Sequence, residues 1–172
     1  MMLINSYDKM VTNTENINFK EQEEELEEEE VLIAEWKHTK YITLSSLLFL
    51  LPACYAYAHS MYDHTILLIL TSFISANYWR KATYSWRRNL DLIFSKISFA
   101  IYIYNGVKYS GSQSKLIEGI LRLIFMFYCF CRSGYLFKKK DVNWVWYHVI
   151  FHMFIALEQK VILRNIIKGC EI

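Results

Sequence analysis

Five apolar stretches, each about as long as a bilayer is thick, follow one another between residues 41 and 167. They cover about residues 41–58, 64–79, 90–104, 116–131 and 142–163. A helix needs about 20 residues to cross a bilayer core, whereas helices of soluble proteins average about 11–12 residues. The sequence therefore predicts an all-α, multi-pass transmembrane bundle of about five helices over residues 41–172.

The residues within and beside these stretches agree with that prediction. Many of the 13 Tyr and 5 Trp residues lie near segment ends, and such rings favour the membrane–water interface. Pro52, near the middle of the first stretch, is predicted to kink the helix because it removes a hydrogen bond. The four Cys residues show no metal-binding spacing and imply no disulfide framework.

Charge is divided unevenly along the chain. Residues 1–40 hold 11 acids and 4 bases, whereas residues 41–172 hold 6 acids and 15 bases. Eight Glu lie within residues 21–30, and such a block of like charges repels itself and stays solvated. Residues 1–40 are therefore predicted to be a disordered acidic tail. It is either a spacer or a docking strip for a basic partner, or for the protein's own basic loops.

The bases between the predicted spans set an orientation, because positively charged loops stay in the cytosol. Four bases fall on one side, namely Lys108, Lys115, Arg164 and Lys168. Ten fall on the other, namely Lys37, Lys40, Arg80, Lys81, Arg87, Arg88, Arg132, Lys138, Lys139 and Lys140. This predicts a cytosolic N-terminus and a C-terminus on the opposite side, and leaves open which membrane holds the protein.

Two histidines are the clearest candidates for a functional site. His148 and His152 are four residues apart in the fifth stretch, so they leave the same face of a helix. Two imidazoles at this spacing can bind one metal ion. The alternative is that both rings make hydrogen bonds between helices. Gln159 falls on the same face.

Other polar residues follow helical spacing in the second and third stretches. Ser72, Ser75 and Tyr78 line up in one, and in the other Asp91 begins a stripe that continues through Ser95, Ser98 and Tyr102. Polar groups in a membrane usually face the bundle interior. We expect Ser75, Tyr78, Asp91, His148 and His152 to lie in one layer. Alternatively, Asp91 stabilises a helix N-terminus and the small hydroxyls serve packing.

This order of motifs resembles the CREST superfamily, which includes alkaline ceramidases, progestin and adipoQ receptors, Per1 proteins and myomaker-like proteins. The resemblance covers about residues 64–158. It rests on Ser75-Ala76-Asn77-Tyr78-Trp79, on Asn89-Leu90-Asp91-Leu92-Ile93-Phe94-Ser95 and on Trp146-Tyr147-His148-Val149-Ile150-Phe151-His152. Those proteins have seven helices, and three histidines hold a zinc ion. Here five helices are predicted, and Tyr78 or Trp79 occupies the place of the first histidine.

The resemblance implies a zinc-dependent hydrolase of lipid amides or esters. His148 and His152 would bind the metal, Asp91 would orient or bind the water, and Ser75 and Tyr78 would donate to an oxyanion. The alternative is a non-catalytic membrane protein that binds anionic lipid or a partner through basic cytosolic loops. Nucleic-acid binding is not expected, because no base-stacking pattern accompanies these loops. The candidate headgroup ligands are Arg80, Lys81, Arg87, Arg88, Lys138, Lys139 and Lys140.

Overall fold

The computed structural model describes residues 32–170, so the Glu-rich block and the rest of residues 1–31 lie outside it. The described part folds into five helices and contains no β-sheet. This confirms the predicted all-α fold and the number of helices. The helices are α1 (Trp36–Ala58), α2 (Tyr62–Arg80), α3 (Trp86–Lys108), α4 (Gln113–Lys138) and α5 (Trp144–Cys170).

Every helix extends beyond its apolar stretch, because helical hydrogen bonding continues through polar turns that hydropathy does not detect. α1 begins at Trp36, so residues 36–40, predicted to belong to a disordered tail, are helical. α4 continues to Lys138 instead of ending near residue 131. Just before α1, the backbone N–H of Ile33 donates to the carbonyl of Ala82 at 2.8 Å, which attaches this segment to the loop after α2.

Short connections make consecutive helices run in alternating directions. The starts of α1, α3 and α5 therefore lie at one end of the bundle, together with the ends of α2 and α4. We call this the basic end, because the loops there carry the two groups of bases at residues 80–88 and 138–140. The connections after α1 and α3 lie at the opposite end.

The packed interior consists of two apolar clusters. The cluster near the basic end is formed by Ile42, Leu136, Trp144 and Val145. The cluster towards the opposite end joins α1, α2, α3 and α5 through Ala53, Ala56, Leu68, Tyr102, Ile162, Leu163 and Ile166. A layer of buried serines, with Asp91 and His152, completes the interior.

Two of the five helices are long and apolar enough to cross a membrane. These are α1 and α3, whose most apolar windows have mean hydropathies of 1.5 and 1.2. Only 39% of the α1 window and 17% of the α3 window are buried inside the protein. Their composition and exposure support a membrane association.

α1 contains a short irregularity beside Pro52. Residues Leu47–Phe49 form a single 3-10 turn between the two α-helical parts of α1. The N–H of Leu50 bonds to the carbonyl of Leu47, and the carbonyl of Ser46 also accepts from the hydroxyl of Ser72 on α2 at 2.9 Å. Proline disturbs the turn that precedes it, which accounts for a break at this position.

Candidate functional site

A hydrogen-bonded polar layer contains several of the residues expected to share a site. The hydroxyls of Ser46 and Ser75 are 3.0 Å apart and connect α1 with α2. Ser75 and Ser95 lie within hydrogen-bonding reach of the Asp91 carboxyl. Tyr78 lies one turn from Ser75 and close to Arg88. The structure thus brings Ser75, Tyr78 and Asp91 together between α2 and α3.

The two histidines are held through the same ring nitrogen. Nδ1 of His152 lies 2.9 Å from the hydroxyl of Ser45, and Nδ1 of His148 lies 3.5 Å from that of Ser133. Each serine also donates to a backbone carbonyl, Ser45 at 2.8 Å and Ser133 at 3.0 Å. Because a hydroxyl has one proton, we assign the Nδ1–H tautomer to both rings. Their Nε2 lone pairs are then left for another partner.

Aromatic rings complete the surroundings of the histidines. The ring centroids of His148 and His152 are 4.8 Å apart. Trp79 packs edge-on against His148, with 4.8 Å between the ring centroids. The ring centroids of Phe49 and His152 are 5.3 Å apart. α2 therefore meets the histidine pair with an indole.

Within residues 32–170, no third His, Cys, Asp or Glu side chain joins His148 and His152 to bind the same metal ion. Among residues 32–170, no group of three or more His, Cys, Asp or Glu side chains is arranged to hold a metal ion. Asp91 contacts Ser75 and Ser95 and does not form such a group with His148 and His152. A catalytic zinc usually has three protein ligands, and the residues present supply two.

A long groove lies beside this layer, because α3 packs on α2 and barely touches α4. Its volume is about 1040 Å³. α3 and α4 form its walls, and both histidines of α5 contribute to its floor, with Ser75, Tyr78 and Trp79 of α2. The polar layer and the histidine pair thus face a space large enough for a ligand.

The groove carries charges at separate levels. Arg88 and Lys138 line it towards the basic end, and Lys96 lines it near the middle of α3. Further along, Arg122 pairs with Glu118, and its Nε also lies 2.5 Å from Oε2 of Glu158. The Arg122 side chain lies between the carboxylates of Glu118 and Glu158, and it joins α4 to α5 in the groove wall.

The predicted headgroup ligands divide into two sets. Arg88 and Lys138 line the groove, and Lys96, which sequence reasoning did not include among them, lies with them. The others belong to the loop ends outside the groove lining and are Arg80, Lys81, Arg87, Lys139 and Lys140.

Sequence reasoning missed the residues that connect the layer. Ser45 and Ser46 lie inside the first apolar stretch and Ser133 follows the fourth, and all three are buried. The adjacent pair Ser45–Ser46 was a usable signal, because two hydroxyls within an apolar helix usually face other helices. Comparison of the chain with family models, with curated proteins and with solved structures found no match.

Proposed function

We propose that this chain is a multi-pass membrane protein that binds an anionic lipid in the groove between α3 and α4. The groove itself is the observation that carries the proposal: it is long and largely apolar, Arg88 and Lys138 line it near one end, and Lys96 lines it about two turns further along α3. The headgroup would contact these three bases, and the acyl chains would follow the apolar walls.

The outer surface supports placement in a bilayer. Large apolar side chains near the middle of helices are exposed, such as Phe73 at 58%, Phe127 at 64% and Leu157 at 58%. Soluble monomers rarely expose continuous apolar surface on this scale. All five tryptophans, by contrast, lie at the basic end, where indoles would meet the headgroup region. They are Trp36, Trp79, Trp86, Trp144 and Trp146.

The charge balance of the groove favours an anion. Six bases and three acids line it, and Arg122 is already paired with Glu118 and Glu158. Asp91 is engaged by Ser75 and Ser95. Bases near a membrane surface attract anionic lipids by about 1 kcal/mol each. Arg88 and Lys138 near the basic end, with Lys96 about two turns further along α3, therefore favour an anion.

The test is the thermal unfolding of the detergent-purified protein with added lipid. A lipid that binds the folded state raises the unfolding midpoint as its concentration increases. We expect phosphatidylglycerol to raise the midpoint more than phosphatidylcholine with the same chains. The triple variant Arg88→Gln/Lys96→Gln/Lys138→Gln should lose most of this difference.

The control is a second triple variant, which removes the same number of positive charges from residues outside the groove. Arg80→Gln/Lys139→Gln/Lys140→Gln should keep most of the preference for phosphatidylglycerol. An equal loss in both triple variants would place the headgroup on the loops and contradict binding in the groove. No difference between the two lipids in the unaltered protein would overturn the proposal.

A metal-dependent hydrolase is the second candidate, favoured by the two histidines whose Nδ1 atoms contact serines. A metal-binding histidine usually donates its other ring N–H to such a partner. With two protein ligands, however, the site does not fit a three-ligand catalytic zinc. Elemental analysis of the purified protein beside His148→Ala/His152→Ala tests this candidate. About one zinc per chain, lost in the variant, would favour it, and no metal in either folded protein would exclude it.

A further inference from the structure

Three polar atoms in the groove lining are buried without a hydrogen-bond partner in the described part of the chain. They are the hydroxyls of Ser98 and Tyr102 on α3 and Oε1 of Gln159 on α5. Ser98 is 2% exposed, and Tyr102 and Gln159 are each 4% exposed. All three residues line the groove. They are separate from the polar layer formed by Ser46, Ser75 and Asp91.

The packing of α3 on α5 places these three residues at neighbouring levels. A side chain at Gly106 would meet Ile162 at 3.3 Å, so the two helices approach closely at this pair. α3 and α5 run in the same direction. Tyr102 lies one turn before Gly106, and Gln159 lies about one turn before Ile162. Ser98 follows one turn earlier on α3.

An unpaired polar group in a protein interior is costly. A buried donor or acceptor without a partner typically costs about 1–3 kcal/mol, and more than 90% of buried polar groups have one. Three such atoms along one groove are therefore a sign of a group that completes their hydrogen bonds.

We propose that Ser98, Tyr102 and Gln159 bind the hydroxyl group of a lipid lying in the groove. A hydroxyl has one donor and two acceptor positions. It donates to Oε1 of Gln159 and accepts from Ser98 and Tyr102, which matches all three unpaired atoms. A carboxylate only accepts, and its charge would oppose Oε1 of Gln159. An ether lacks the donor.

This inference rests on the proposed function only in that a lipid occupies the groove. The hydroxyl site lies at the middle of α3, whereas Arg88 lies in the first turn of that helix. Ten residues of helix separate Arg88 from Ser98, a rise of about 15 Å. Lys96 lies two residues before Ser98, so the headgroup site extends towards the hydroxyl site. The two sites nevertheless differ in chemistry, and each is tested by its own substitutions.

The experiment is a binding competition on the full-length protein in detergent. Radiolabelled oleyl alcohol is the probe, and the competitors are unlabelled oleyl alcohol, oleyl methyl ether and oleic acid. We expect the alcohol to compete about tenfold better than the ether, the effect of one lost hydrogen bond. Gln159→Leu removes the acceptor of the alcohol's proton and should reduce this ratio to about threefold or less. Tyr102→Phe removes a donor to the oxygen of both ligands, so it should weaken the alcohol and the ether alike, by about three- to tenfold, and leave the ratio unchanged.

Matched controls separate the hydroxyl site from general changes in the groove. Ser95→Ala removes a groove hydroxyl that already contacts Asp91, and Tyr104→Phe changes an exposed tyrosine of α3. Both should leave the ratio unchanged. Thermal unfolding without ligand gives a second readout. Tyr102→Phe and Gln159→Leu should unfold at the same or a higher temperature, because each removes an unpaired polar atom.

Each of several outcomes would overturn the inference. These are equal competition by alcohol and ether, no binding of the probe, a ratio that survives Gln159→Leu, an affinity for the probe that is unaffected by Tyr102→Phe, or a clear loss of stability in both variants. The phosphatidylglycerol experiment does not depend on this site. A preference for phosphatidylglycerol without a preference for the alcohol would reject the hydroxyl site and leave the proposed function standing.

Discussion

Buried serines fix the histidine pair at the scale of single residues. Ser45 belongs to α1 and contacts His152 of α5 at 2.9 Å, so one short side chain joins the first helix to the last. Ser133 holds His148 in the same way from α4. Both rings are oriented by groups outside their own helix. The four-residue spacing therefore explains why the two rings lie on the same face of α5. It does not explain the directions in which their ring nitrogens point.

Ser45→Ala should destabilise the protein by about 1–3 kcal/mol, because it leaves the buried Nδ1 of His152 without its partner. The midpoint of thermal unfolding in detergent measures this effect. Ser114→Ala, the same substitution at an exposed position in the first turn of α4, is the control and should change the midpoint little. Equal midpoints for both variants would show that the hydrogen bond contributes nothing.

The histidine site could be predicted from the sequence in part. The spacing of His148 and His152 indicated a shared helix face, and this is what α5 provides. Ser45 is 107 residues from His152, so no local pattern connects them. Whether Asp91 joined the histidines depended on the packing of α3 against α5. The sequence contained the polar residues of the layer, while their pairing depended on helix packing.

At the scale of elements, the 3-10 turn in α1 is tied to α2. The N–H of Leu50 bonds to the carbonyl of Leu47, and the hydroxyl of Ser72 donates to the carbonyl of Ser46, beside this turn, at 2.9 Å. We therefore expect the interhelical bond and the helix irregularity to depend on each other. Pro52 accounts for the irregularity, since a proline prevents a regular helix over the preceding turn.

A double-mutant cycle tests this dependence. Ser72→Ala alone should cost about 0.5–1.5 kcal/mol, because it removes the hydrogen bond between α2 and the Ser46 carbonyl. In a Pro52→Ala background the helix can become regular, which changes the direction of this carbonyl, so the same substitution should cost clearly less. The free energies of unfolding of the four proteins give the coupling directly. Equal costs in both backgrounds would contradict the link between Pro52 and Ser72.

The ion pair between α4 and α5 gives a second prediction at this scale. Arg122→Met leaves Glu118 and Glu158 without their cation and should destabilise the protein by about 1.5–3 kcal/mol. Adding Glu158→Gln should recover part of the loss, since it removes the uncompensated charge on the side chain that is only 15% exposed. Thermal unfolding of both variants measures the effect. A double variant less stable than Arg122→Met would rule out this explanation.

The helices themselves were predictable, but the groove was not. Apolar stretches reveal the positions of helices, because a helix that is buried in a bilayer or a protein core needs apolar side chains. They do not say which neighbours touch. α3 and α4 are joined by a short loop and yet barely contact each other, so the groove depends on how both pack on α5. The close approach at Gly106, where a side chain would meet Ile162, is one local cause of that arrangement.

At the scale of the whole molecule, the two ends of the bundle differ in chemistry. All five tryptophans and the base groups at 80–88 and 138–140 lie at the basic end. Cytosolic faces of membrane proteins carry such an excess of Lys and Arg. The alternating helix directions place both termini of the described chain at opposite ends. If the chain crosses the membrane five times, the two ends must face different compartments.

Cysteine labelling in sealed vesicles with the cytosolic face outside tests this arrangement. In a background without native cysteines, Tyr84→Cys and Lys139→Cys at the basic end should react with a membrane-impermeant maleimide directly. Ser60→Cys and Ser114→Cys at the opposite end should react only after the membrane is permeabilised, because the loops there lie in the lumen. All four positions are exposed in the bundle, so a failure to react reports the membrane and not burial. Reaction of all four in intact vesicles would contradict a multi-pass arrangement. Reaction of only the Ser60 and Ser114 variants would keep five spans and reverse the orientation predicted from charge.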